Sequence, residues 1–141
     1  MDEVFTIAEF KEHLARYAET NAAKLKQNLA DFLQAIVPEA EKAGIKMCIH
    51  PDDPPFPILG LPRVVSTEQD LSDLLNYCPS PSNGITLCTG SLGARADNDL
   101  PGIVSRLGEN IHFIHLRNVQ REPDGGFYEA DHLGEAQIYI T

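Results

Sequence analysis

The 141-residue sequence lacks any apolar run long enough to cross a membrane, and basic residues are scarce in it. A transmembrane helix needs about 20 mostly apolar residues, so we expect no membrane span. Lysine and arginine together number 11 against 21 aspartates and glutamates, which gives a formal net charge of −10. Because nucleic-acid binding requires a basic surface, this balance argues against a nucleic-acid partner.

Cysteine is also rare, and the three cysteines at positions 48, 78 and 88 make no disulfide framework. Such sparse usage is typical of a reducing compartment, so we expect a cytoplasmic protein. The N-terminus is acidic and amphipathic, unlike a secretory signal. The length favours a single domain, and an apolar content of 43% is ordinary for a globular protein.

Three short apolar runs, at residues 45–50, 85–88 and 111–115, are predicted to be strands that each end in a soft or borderline metal ligand. Those ligands are His50, Cys88 and His115. A helix-length segment separates successive runs, so the strands should pair in parallel and present their carboxyl ends at one edge. That edge is where α/β proteins build their sites. The sequence therefore predicts most of a metal centre there.

The identity of the metal stays open at this level. A lone histidine more often satisfies a backbone group than binds a metal, but three such residues in register favour a metal site. Two imidazoles and a thiolate are typical of zinc with one open position, whereas a carboxylate as fourth ligand favours manganese or iron(II). The fourth ligand must come from Asp52, Asp53 or a residue outside the sequence. The other cysteines and two of the histidines are predicted to be structural: Cys48, Cys78, His13 and His112.

Helical periodicity predicts one long N-terminal helix that opens with a Thr6–Glu9 capping box, kinks or restarts at Pro38 and ends at Gly44. Residues 51–63 contain five prolines and are predicted to form a stiff loop. A short helix should follow Ser66. A glycine-rich loop at 89–99 then leads to a helix capped by Asp97 or Asn98 and ended by Gly108.

About three βα units result, and three parallel strands neither close a barrel nor cover their own faces. An eight-stranded TIM barrel needs about 250 residues. We therefore expect an α/β fold that is a piece of a larger barrel. A small open α/β domain that self-associates is the alternative.

Four of the six arginines lie in segments that follow the predicted strands: Arg63, Arg95, Arg117 and Arg121. Arginine binds carboxylates and phosphates through a two-pronged set of donors. Solubilising charge explains any one of these residues equally well. Their clustering at the edge that carries the metal ligands favours an anionic small molecule as the partner.

Four segments of the sequence resemble mannonate dehydratase: IHPDDPP at 49–55, GLPRVVS at 60–66, CTGSLGARADNDL at 88–100 and HFIHLRN at 112–118. The resemblance extends over about residues 36–135. It implies a xylose-isomerase-like TIM (β/α)8 barrel, with residues 1–141 as the central part of its single catalytic domain, incomplete at both ends. It also implies the removal of water from D-mannonate to give 2-keto-3-deoxy-D-gluconate in hexuronate catabolism. It also implies a divalent manganese or iron ion, with zinc as the alternative, held by His50, Cys88 and His115.

The family's fourth ligand and a neighbouring acid/base histidine belong to an Arg-Pro-Asp-His-Gly motif that this sequence lacks, so activity of the chain alone is not expected. Arg95, Arg117 and Asn98 are the candidates for binding the sugar acid. His132, Asp97 and Arg117 are the candidates for catalysis. We expect the complete enzyme to be a homo-oligomer.

Two other functions remain as alternatives. The first is a metal-dependent sugar isomerase or epimerase of the xylose-isomerase-like superfamily, which keeps the barrel and changes the reaction. Such enzymes usually bind their metals through carboxylate-rich sets, so Cys88 argues against this reading. The second is a non-catalytic barrel fragment.

Overall fold

The structure, a computed structural model, describes residues 5–131. These residues form five helices and four strands. In chain order they are α1 (Ile7–Ala15), α2 (Ala22–Lys42), α3 (Glu68–Tyr77), β1 (Ile85–Cys88), α4 (Thr89–Gly93), α5 (Leu100–Leu107), β2 (Ile111–His115), β3 (Val119–Arg121) and β4 (Phe127–Glu129). A 3₁₀ turn, Gly108–Asn110, joins α5 to β2.

The N-terminal region contains two helices where one long helix was predicted. The capping box of α1 is present, with Thr6 and Glu9 each accepting from the other's backbone amide. A second helix, α2, starts after Asn21, whose side chain accepts a hydrogen bond from the backbone amide of Lys24 at 2.9 Å. α2 then continues through Pro38, so the expected restart there is wrong. The residue before it, Val37, is fully buried, and this packing outweighs the single helical hydrogen bond that proline removes.

β1 is the central strand of the sheet and is buried along its whole length. It pairs in parallel with β2, with Cys88 opposite His115. Residues 45–50 run along its other side, where a parallel bridge joins Ile49 to Ile85 and the Met47 amide donates to the Ser82 carbonyl at 2.9 Å. The strand predicted at 45–50 is thus an extended segment with one bridge, and the parallel order is as predicted.

One apolar core covers a face of this sheet. Its fully buried members come from four helices and the central strand: Leu33 and Val37 of α2, Leu71 and Leu74 of α3, Leu92 of α4, Ile103 of α5, and Ile85. Each side chain of this kind stabilises the fold by about 1.5–3 kcal/mol relative to an exposed one.

Helix starts were predicted one or two residues too early. α3 is capped by Thr67 and not by Ser66, because Thr67 and Asp70 form a reciprocal capping box. α5 is capped by Asp99, whose carboxylate accepts from the Gly102 amide at 3.1 Å. The sequence also gave no indication of α4, inside the glycine-rich loop, or of the antiparallel pair formed by β3 and β4.

The far side of β2 is open within residues 5–131, where β1 is its only partner strand. Phe113, Ile114 and Leu116 are 56%, 55% and 68% exposed there. An uncovered parallel strand with apolar side chains is unusual, because parallel sheets are normally buried on both faces.

Within residues 5–131, no helix is both long and apolar enough to cross a membrane.

His112 bridges the two outer members of the sheet. The pairing of β2 with β1 shifts register here, which leaves His112 as the extra residue. Its Nδ1 donates to the Met47 carbonyl at 2.6 Å. To reach it, the ring passes over Gly84, where an added Cβ would lie 2.2 Å from Nδ1. Gly84 is therefore required by the close approach of the ring.

We expect Gly84→Ala to lower the free energy of unfolding by about 1–3 kcal/mol, because the new methyl group overlaps the His112 ring. Urea unfolding measures this. Gly108→Ala is the matched control, since an added Cβ there meets nothing within 4 Å. Combining Gly84→Ala with His112→Ala should recover part of the loss, and strictly additive effects would contradict the overlap.

Asp70 ties the start of α3 to α2. Its carboxylate accepts from the Ser66 and Thr67 amides, each at 3.2 Å, and pairs with Lys26 at 2.8 Å. Burial alone raises the pKa of Asp70. The hydrogen bonds from Lys26, Ser66 and Thr67 outweigh burial, so the pKa lies below its ordinary value.

We expect Asp70→Asn to cost about 1–2 kcal/mol of stability at neutral pH, because the charged cap and the Lys26 pair are both lost. A lowered folded-state pKa contributes stability above the unfolded-state pKa, which is about 3.9, and loses it as pH falls further. The difference in unfolding free energy between the unaltered protein and Asp70→Asn should therefore disappear below about pH 4. Asp73→Asn, which removes a longer contact with Lys26 at 3.3 Å, is the control. A gap that is independent of pH would contradict the charged cap.

Candidate metal centre

Three side chains meet at the carboxyl edge of the sheet: His50, Cys88 and His115. One ligand atom from each lies within 4.8 Å of the others. The Nε2 atom of His50 is 3.3 Å from Nδ1 of His115, and that Nδ1 is 3.5 Å from the Cys88 sulfur. The parallel pairing places Cys88 opposite His115 and brings His50 beside them.

These separations fit a single cation. Metal–nitrogen bonds of about 2.0–2.1 Å and metal–sulfur bonds of about 2.3 Å place neighbouring ligands roughly 3–3.6 Å apart. The two measured distances fall in that interval. The donor set is also suitable, because two imidazoles and a thiolate bind first-row transition metals strongly. The residues present therefore fit a divalent metal ion.

His50 is held in the tautomer that a ligand requires. Its Nδ1 lies 2.7 Å from the carbonyl oxygen of Pro51. A carbonyl only accepts, so Nδ1 carries the proton and Nε2 presents its lone pair toward the other two side chains. Metal-binding histidines commonly use a backbone carbonyl in this way. The Pro51 carbonyl was not anticipated, although a proline after the strand was visible in the sequence.

Cys88 is fully buried and caps α4. Its sulfur accepts from the Ser91 amide at 3.4 Å and from the Ser91 hydroxyl at 3.3 Å. Ser91 is itself fully buried and was not anticipated. The only available signal was its position three residues after a cysteine at a strand–helix junction.

Arg117 joins the segments around the site. Its guanidinium pairs with Asp53 and donates to Glu129 at 2.7 Å. Its backbone carbonyl accepts from the Thr89 hydroxyl at 2.7 Å, and an added Cβ at Gly90 would lie 2.7 Å from Arg117 Cβ. The hydrogen bond from Arg117 to Asp53 raises the arginine pKa further, so the group stays charged. Arg117 thus fixes the proline-rich loop, α4 and β4 relative to one another.

Neither candidate for the fourth ligand joins the three side chains. Asp52 accepts from the Val64 and Val65 amides at 2.8 and 2.7 Å, which holds the returning end of the proline-rich loop. Asp53 pairs with Arg117. Within the part of the chain that the structure describes, the metal group contains no carboxylate.

The remaining candidates contact one another and the loop backbone. Arg95 binds Asp97 through two nitrogens, at 3.0 and 2.5 Å, and also donates to the Pro55 carbonyl at 3.2 Å. The hydrogen bonds from Arg95 hold the pKa of Asp97 below its usual range. Asn98 donates to the Ser66 and Leu92 carbonyls at 3.0 and 2.9 Å.

Two other arginines, Arg63 and Arg121, contact the loops. Arg63 lies 3.9 Å from Asp52, and Arg121 donates to the Gly93 carbonyl at 2.7 Å. Both therefore support the segments that surround the three ligands. His132 lies outside the described residues.

The chain is similar to known proteins over nearly its whole length. The family model of D-mannonate dehydratase (UxuA) matches residues 2–140. The mannonate dehydratase of Saccharophagus degradans is 55% identical over 129 residues, which cover 92% of this chain and 32% of that protein. The mannonate dehydratase of a Marinomonas species is 57% identical over 134 residues, covering 94% of this chain and 34% of that protein.

A solved structure is similar as well. The crystal structure of mannonate dehydratase from Streptococcus suis serotype 2 superimposes with a TM-score of 0.77 at 42% identity, covering 82% of this chain and 34% of that one. The chain thus spans about a third of the length of the relatives that it matches. On the match to residues 2–140, this chain belongs to the mannonate dehydratase family.

Proposed function

We propose that the chain supplies three ligands, His50, Cys88 and His115, to the metal centre of a hydro-lyase that removes water from D-mannonate to give 2-keto-3-deoxy-D-gluconate. The observation that carries this proposal is the convergence of two imidazole nitrogens and a sulfur within 4.8 Å at the sheet edge. Membership of the mannonate dehydratase family supports the substrate and the reaction. The step belongs to hexuronate catabolism.

The ion is Mn²⁺ or Fe²⁺, with Zn²⁺ as the alternative. The resemblance to the family supports the first two ions. Two nitrogens and a sulfur alone fit zinc equally well. The fourth ligand comes from a part of the protein beyond the residues described, since Asp52 and Asp53 are engaged with loop amides and with Arg117.

When bound, the ion supplies Lewis acidity toward the carboxylate and an adjacent hydroxyl of the sugar acid. Two things must happen on the substrate: a base removes the C2 proton, and an acid protonates the C3 hydroxyl as it leaves. The hydrogen bond from Arg95 lowers the pKa of Asp97, so Asp97 is not the acid, and its part in catalysis is as an ionised carboxylate. His132 is our candidate for the acid.

Arg95 and Arg117 orient the sugar acid through their charge. Both already pair with carboxylates, Arg95 with Asp97 and Arg117 with Asp53. An anionic substrate therefore shares or exchanges these partners when it binds. The side-chain nitrogen of Asn98 donates to two backbone carbonyls. Its side-chain oxygen is therefore the group that accepts from a substrate hydroxyl.

We also propose that the fold of the whole protein is a TIM barrel of which this chain is the central part. Three parallel neighbours ending in site residues, together with the similarity to the Streptococcus suis enzyme, support the proposal. The open edge of β2 is the place where a further barrel strand pairs. Cytoplasmic location and homo-oligomeric assembly complete the proposal, and the three free cysteines support the former.

We expect Cys88→Ser to reduce metal binding by the chain at least 10-fold, because a neutral hydroxyl then replaces the charged thiolate ligand. Metal content after gel filtration, measured by elemental analysis, checks this. Cys48→Ser is the control, since Cys48 is exposed and lies outside the ligand group. Full loading of the Cys88→Ser protein would remove Cys88 from the ligand set.

In the full-length protein that carries this segment, Cys88→Ser should also abolish dehydration of D-mannonate. The formation of the 2-keto product, followed by its reaction with semicarbazide, measures turnover. A neutral ketose serves as the comparison substrate. Interconversion of that ketose without any dehydration of mannonate would identify an isomerase in place of a hydro-lyase.

A further inference from the structure

Ser91 is a fully buried polar residue to which the proposed chemistry assigns no part. Its hydroxyl lies 3.3 Å from the Cys88 sulfur and its backbone amide lies 3.4 Å from the same atom. One residue therefore directs two donors at one metal-ligand atom.

Helix capping accounts for the amide donor, because Cys88 is the N-cap of α4, but it does not account for the hydroxyl. A serine within a helix usually bonds the carbonyl one turn earlier or points to solvent. The Ser91 hydroxyl instead donates to a sulfur. A sulfur is a weak acceptor as a thiol and a much stronger one as a thiolate. A buried hydroxyl costs free energy unless its partner accepts well. The hydroxyl is thus placed to suit a sulfur that serves as a metal ligand.

The surroundings make Ser91 a rigid support. All five residues of α4 are buried, so the helix has little freedom to move. The two donors hold the Cys88 sulfur in a position 3.5 Å from Nδ1 of His115. Donors to a ligand sulfur also withdraw electron density from it.

We propose that Ser91 is a positioning residue of the metal centre. It holds the Cys88 sulfur in the orientation that binds the ion, and it tunes the electron density that the sulfur donates. This inference rests on the proposed metal centre. It adds a residue that acts only through Cys88 and touches neither the ion nor the sugar acid.

The test uses Co²⁺ as a spectroscopic probe with the full 141-residue chain. Cobalt bound to a thiolate shows a sulfur-to-metal charge-transfer band in the near ultraviolet, and its energy reports the electron density on sulfur. Ser91→Ala removes the hydroxyl donor and keeps the amide. We expect it to weaken Co²⁺ binding about 10-fold, as loss of a ligand's outer partner typically does, and to shift the band to longer wavelength.

Two further variants separate positioning from packing. Ser91→Thr keeps the hydroxyl and should keep both the affinity and the band position. Ser105→Ala, an exposed serine on α5, is the matched control and should change neither. Urea unfolding of each variant shows that the fold is retained, and the band position is a property that a merely loosened fold does not shift in one direction.

The outcomes are distinguishable. If the unaltered chain shows the band and Ser91→Ala matches it in affinity and wavelength, the role of Ser91 is overturned and the metal centre stands. If the unaltered chain shows no thiolate band at saturating Co²⁺, the metal centre itself fails, and the role of Ser91 fails with it. A weakened, red-shifted band that Ser91→Thr restores supports the inference.

Discussion

The structure depends on the parallel pairing of β1 with a neighbour on each side. β1 is buried throughout, and it fixes the height of Cys88 relative to His115 on one side and of Ile49, hence His50, on the other. Because side chains alternate across a strand, a shift of one residue in either pairing would turn a ligand to the opposite face.

The elements that were predictable from the sequence are those with strong local patterns. β1, the end of α5 and the Thr6–Glu9 capping box follow from short runs of apolar residues and from capping chemistry. Pro38 misled the prediction because the cost of proline in a helix is a local quantity, whereas the burial of Val37 depends on residues far away in sequence. The β3–β4 pair carries too few residues for its alternation to stand out.

The grouping of the three candidate ligands was predictable from the sequence, and the residues that support them were not. His50, Cys88 and His115 lie at strand ends, and strand ends can be located from periodicity. The partners that orient them come from other places: a backbone carbonyl at Pro51 and a side chain at Ser91. Carbonyl directions and helix caps are set by backbone torsions, which residue types constrain only weakly. The occupation of Arg117 by Asp53 and Glu129 likewise joins segments distant in sequence.

The open side of β2 has a consequence for how such a chain is made. Phe113, Ile114 and Leu116 are more than half exposed beside unpaired backbone groups in the part of the chain that the structure describes. An apolar strand edge of this kind is a template for intermolecular pairing. Any interval in which nothing covers this edge is therefore one in which the chain is prone to aggregate. A chaperone that shields apolar strands would act most usefully in that interval.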